Sequence, residues 1–159
     1  MFSGYMNALV EVVKRTFETM FQIELNVSEC KQDSDLYSPF EISGAVGITG
    51  AMQGVVVVSF PKEFARNLVR LLGDAREDIP DEEIYDCVGE IANIIAGNLL
   101  PSLKRKNSNA HQLSLPLVVV GKHQVVWRRK DMPYDLIFLE TNLGTFCAGV
   151  NLREPNSAC

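Results

Sequence analysis

The stretch Phe40–Phe60, "FEISGAVGITGAMQGVVVVSF", sets the fold class. Two runs, "FEISGAVGIT" and "GVVVVSF", are strand-like, and the short segment "TGAMQG" joins them. The glycines at the join suit a hairpin turn that needs positive φ. A link this short pairs its strands antiparallel, because parallel neighbours need a long crossover. A phosphate-cradling loop is the rival reading of "GITGAMQG". Its spacing matches neither GxGxxG nor the Walker pattern, and a strand follows it where a phosphate loop needs a helix.

Working outward, "MNALVEVVKRTFETMF" carries apolar residues at Leu9, Val10, Val13, Phe17, Met20 and Phe21, the spacing of an amphipathic helix. "QIELNVSECKQD" alternates at Ile23, Leu25 and Val27 as a half-buried strand does, and "DSDLYSPFEIS" reads as a loop. After the hairpin, "PKEFARNLVRLLG" has Pro61 where a first helical turn tolerates it and Gly73 as a C-cap. Acidic "DAREDIPDEE" leads into a long helix whose N-terminal Asp81, Glu82 and Glu83 favour the macrodipole, and Pro101 ends or bends that helix. "LSLPLVVVG", "QVVWRR", "YDLIFLET" and "TFCAGVNL" read as further strands. The expected fold is α+β, a largely antiparallel β-sheet covered by helices, as one domain over residues 1–155 with a loose tail at 156–159.

The composition excludes several function classes. A net charge of −5 without a basic stripe argues against nucleic acid, and "WRRK" (Trp127–Lys130) reads as a solvated strand end. No apolar run reaches bilayer-spanning length and no secretory signal is visible, so the chain is expected in the cytoplasm and off the membrane. Cys30, Cys87, Cys147 and Cys159 form no CxxC pair and are expected as free thiols, with no metal site. His111 and His123 fall in or beside presumed loops without a Ser or Cys motif to pair with.

The long helix contains "DCVGEIANIIAG", Asp86–Gly97. At about 100° per residue, Asp86, Glu90, Asn93 and Gly97 share one narrow stripe, while Val88, Ile91, Ile95 and Leu99 lie opposite. The apolar side accounts for packing, so Glu90 and Asn93 are not needed by the core. A solvated face is the bland interpretation. Against it, the stripe is poor in long charged residues, and Gly89 and Gly97 each cost roughly 1 kcal/mol relative to Ala in a helix. Small residues flanking the stripe, Gly89 and Ala96, lower the surface for a second backbone. The pattern describes a shallow docking face with a carboxylate that can anchor a basic group and an amide that can orient water.

Asp86-x3-Glu90-x2-Asn93-x3-Gly97 resembles the signature of the CheC/CheX/FliY phosphatases of bacterial and archaeal chemotaxis, and the order of elements is similar along most of the chain. The resemblance implies a hydrolase acting on the aspartyl-phosphate of a phosphorylated CheY-like response regulator. Glu90 would pair with the regulator's active-site lysine and Asn93 would orient the attacking water. Asp86, Gly89 and Gly97 would belong to the docking face. It further implies no cofactor of the chain's own, Mg2+ held by the regulator, and a homodimer built at a sheet edge. Some relatives carry the signature on two pseudo-symmetric helices. Here the first helix reads Asn7-x3-Glu11-x2-Lys14-x3-Glu18, with Lys14 in place of the Asn and Glu18 in place of the Gly. One active helix in a chain of this size is most similar to the CheX branch. The rivals are a non-catalytic scaffold like FliM, or a CheC-like adaptor that binds the CheD deamidase.

Overall fold

The Gly-rich hairpin lies inside the main sheet. The computed structural model describes residues 4–33, 35–37, 39–73, 76–103, 111–122, 125–128 and 133–154. In it β3 (Ile42–Gly50) pairs antiparallel with β4 (Gln53–Phe60), from Ile42↔Phe60 to Ile48↔Gly54, and Gly50 makes the turn at φ 113°. Beyond β4 come β9 (Gly144–Arg153), β8 (Tyr134–Thr141) and the edge strand β1 (Asn26–Asp33). The other side of β3 pairs with β5 (His111–Leu113) and then β6 (Leu117–Val120), completing a seven-stranded antiparallel sheet. A two-stranded ribbon joins β2 (Asp35–Tyr37) to β7 (Val125–Arg128).

Burial on both faces explains the unbroken valine run of β4. Val56, Val58 and Phe60 face the core beneath the helices, while Val55 and Val57 join Ala45, Tyr134, Leu136 and Cys147 in a smaller cluster on the other face. A strand covered on both sides has no polar alternation to show. The helices are α1 (Gly4–Phe21), α2 (Lys62–Leu71) and α3 (Asp81–Leu99). Aromatic rings tie two of them to the sheet: Phe17 of α1 stacks on Phe146 at 4.6 Å, Phe146 on Phe60 at 5.0 Å, and Phe60 on Phe64 of α2 at 5.5 Å. α3 rests on β3 at Gly44, where a Cβ would stand 2.9 Å from the Val88 carbonyl oxygen. Only glycine permits that approach.

Three local expectations change. The segment expected as a loop at 33–43 contains the short strand β2. "LSLPLVVVG" is not one strand but two: Ser114 keeps its N–H bond to Gly47 but its hydroxyl, not its carbonyl, takes the Gly47 N–H, Pro116 has no N–H to donate, and β6 restarts at Leu117. The first strand begins at Asn26, later than the alternation implied; Gln22, at φ 56°, ends α1, and Ile23 and Leu25 are buried in the linking turn. The tail at 156–159, His123, Arg129, Lys130 and Cys159 lie outside the described residues.

Candidate functional site

α3 forms where Pro80 sets the entry angle and an acidic first turn, Asp81–Glu83, meets the helix dipole. Ile84, Val88, Ile91, Ile95 and Leu99 recur at three- and four-residue spacing and are fully buried. Two first-turn carboxylates are paired within the chain: Asp81 with Lys62 of α2 at 3.0 Å, and Glu83 with Arg76. Among the described residues the carboxylates further along, Asp86 and Glu90, have no such partner.

Asp86 and Glu90 are exposed, and Asn93 and Gly97 are half-buried, all on the face turned from the core. Among the described residues none of Asp86, Glu90 and Asn93 has a hydrogen-bond or ion-pair partner. Among the described residues the half-buried amide of Asn93 thus meets no partner for its two donors or its acceptor. Cys87 sits beside this stripe, half-buried; burial first, and then the charge of Glu90, push its thiol up to about 11. A protonated thiol there is no nucleophile.

Gly89 does not join the exposed stripe. It is buried, and a Cβ on it would meet Val118 Cγ2 at 3.4 Å and Pro116 Cβ at 3.6 Å. Gly89 is buried against the β5–β6 segment of this chain, at distances that a Cβ would make as ordinary contacts, and is not open to a partner, which corrects the expectation drawn from the wheel. Ala96 is likewise buried. Gly97 keeps an open side, with Leu113 Cδ1 3.9 Å from where its Cβ would stand. The residues that the sequence did not single out are thus Leu113, Pro116 and Val118, which form one wall of the stripe. No motif marks them, because only the return of a later strand brings them to α3.

The second copy of the pattern, on α1, puts Asn7, Glu11, Lys14 and Glu18 on exposed positions of one helix face. Its geometry parallels that of α3, but its chemistry does not: Lys14 carries donors only. His111 opens β5 opposite Gly50. Among the described residues no helix is long and apolar enough to cross a membrane.

Fold and face together define a class: an antiparallel-sheet domain that carries a carboxylate and an amide, one turn apart, on the outer face of a helix. The chain belongs to the CheX family, since the family model for the chemotaxis phosphatase CheX matches residues 42–138, from β3 through α3 into β8. The CheY-P phosphatase CheX of Thermotoga maritima is 28% identical over 117 residues, covering 73% of this chain and 75% of that protein. The crystal structure of the chemotaxis protein CheX from Desulfovibrio desulfuricans superposes with a TM-score of 0.81 at 26% identity, over 95% of this chain and 100% of that one. A complex of CheX with CheY, BeF3 and Mg2+ from Borrelia burgdorferi gives a TM-score of 0.73 at 20% identity, over 94% and 98% of the two chains.

Proposed function

We propose that this protein hydrolyses the aspartyl-phosphate of a CheY-type response regulator and so terminates its signal. The observation that carries the proposal is the pair Glu90 and Asn93, one turn apart on the outer face of α3, with no side-chain partner among the described residues. Glu90 forms a salt bridge to the regulator's active-site lysine and fixes the register of docking. Asn93 enters the regulator's site and holds a water in line with the phosphorus. The water oxygen forms a bond to phosphorus as the bond to the aspartyl oxygen breaks; the aspartate leaves as a carboxylate and inorganic phosphate is released. Most of the gain in such a reaction comes from positioning the nucleophile, which an amide achieves by donating and accepting at once. Mg2+ bound to the regulator neutralises charge on the transferred phosphoryl group.

The family membership and the CheY-P phosphatase name of the Thermotoga relative support this reading. The protein acts in the cytoplasm, where response regulators are, and as a homodimer joined at a sheet edge; exposed Leu117 and Val120 on β6 make that edge apolar.

The test is phosphate release from a phosphorylated CheY-type regulator. Wild type should accelerate it, and Asn93→Ala should lower kcat by at least about 100-fold while docking persists. Glu90→Ala should chiefly raise KM, and Lys14→Ala should change little. Equal rates for wild type, Asn93→Ala and Glu90→Ala overturn the mechanism, as would a large loss in Lys14→Ala.

A further inference from the structure

We infer that Leu115 is an apolar contact for the response regulator, set beside Glu90 and Asn93, and that it governs the affinity of docking. This rests on the phosphatase reading above and adds a specificity residue to it. Leu115 is 89% exposed, the most exposed of the large hydrophobic side chains described. Isolated exposed leucines are common and need no explanation. Three observations set this one apart.

The first is its position. Leu113 Cδ1 lies 3.9 Å from where a Cβ on Gly97 would stand, and Pro116 Cβ lies 3.6 Å from where a Cβ on Gly89 would stand. The segment therefore runs along the flank of α3 from the level of Gly97 to that of Gly89. Eight helical residues rise about 12 Å, and the extended step from 113 to 116 covers about 10 Å, so the two match. The contacts on either side of Leu115 in the chain bracket the turns of α3 that carry Glu90 and Asn93. On the helical wheel Asn93 is only about 40° round from Gly89, so the amide is the stripe residue nearest this wall.

The second is rigidity. Ser114 is fixed to β3 twice: its N–H donates to the Gly47 carbonyl at 2.9 Å, and its Oγ accepts from the Gly47 N–H at 2.8 Å. The Ser114 hydroxyl donates in turn to the Leu115 carbonyl at 3.0 Å. Pro116 and Val118 then close on Gly89. A leucine raised on a backbone pinned at both ends pays little ordering entropy when it is covered.

The third is chemistry. The stripe itself offers only polar groups, which confer register and orientation but little net affinity across a wet interface. A transient enzyme complex needs some apolar burial beside them, and Leu113, Leu115 and Pro116 form the ridge adjoining that stripe. A second copy of this chain is the competing occupant.

The experiment compares wild type with Leu115→Ser and Leu115→Met. It reads phosphate release against the concentration of phosphorylated regulator, with sedimentation and thermal melting on each protein. Leu115→Ser should raise KM about tenfold with kcat unchanged to within about twofold. Leu115→Met should restore KM, and neither change should alter Tm or the sedimentation coefficient. An unchanged KM in Leu115→Ser overturns the inference. So does a change of oligomeric state, which would assign Leu115 to the contact between copies. A wild-type protein that releases no phosphate overturns the phosphatase reading, and this inference with it; a working wild type with an indifferent Leu115 sinks the inference alone.

Discussion

Replacing Gly97 by alanine separates what the helix needs from what a partner needs. Gly97 lies within α3 with ordinary helical backbone, so it is not required by conformation. Among the described residues a Cβ there meets only Leu113 Cδ1 at 3.9 Å, an ordinary van der Waals contact, and none of them opposes the methyl group. Alanine should therefore recover most of the glycine cost and stabilise the fold by about 0.5–1 kcal/mol, which corresponds to a rise in Tm of about 1–4 °C for a chain of this length. Function should move the other way. The methyl stands one turn beyond Asn93 on the docking stripe and holds the regulator off, so KM should rise severalfold, with Gly97→Leu worse than Gly97→Ala. Differential scanning calorimetry and phosphate-release kinetics on the same preparation check both halves. A lower Tm refutes the packing account, because it means the glycine serves the fold. A higher Tm with unchanged KM refutes the docking account, because a partner that tolerates the methyl does not approach at Gly97.

The contact at Gly44 gives the opposite expectation: a Cβ would stand 2.9 Å from the Val88 carbonyl oxygen and 3.0 Å from Ala92 Cβ, and neither can yield. Gly44→Ala should cost about 1–3 kcal/mol in urea unfolding and lower kcat by lifting α3 off the sheet; a stability equal to wild type would refute the close approach. The cysteines predict an alkaline loss of stability. Burial, the leading cause in each case, raises the Cys87 thiol to about 11 and the Cys147 thiol to about 12, from an ordinary value of 9.0. Between those values the folded state holds protons that the unfolded chain has released, so stability is whole below pH 9 and declines as pH rises toward 11 and 12. Urea midpoints measured from pH 8 to 10.5 should fall less steeply in a Cys87→Ala/Cys147→Ala double variant, and an identical slope would show that the thiols are not held protonated.

Much of the fold is legible locally. The hairpin at Gly50, the helix capped by Pro61 and ended near Gly73, and the strands from Tyr134 to Arg153 all follow from side-chain period and turn chemistry. The legibility ends where a segment's role depends on a distant neighbour. β2 escapes notice because three residues carry no period, and its partner β7 lies about ninety positions away. Pro116 lies inside a run of strand formers, and its break becomes evident only once Ser114 is seen bonded to Gly47.

The candidate site divides along the same line. The sequence by itself determined that Asp86, Glu90, Asn93 and Gly97 share a face, because a helix of 3.6 residues per turn makes that a matter of spacing. It also determined that α1 carries a copy of the pattern with Lys14 in place of the amide. Only the tertiary structure decided which flank of that stripe is closed. Gly89 stands about 60° from Asp86 on the wheel, a position that is open or buried according to what packs there. The β5–β6 segment, entering more than twenty residues later in the chain, covers it with Pro116 and Val118. Spacing along a helix is a local property; the wall beside it is built by non-local pairing onto β3.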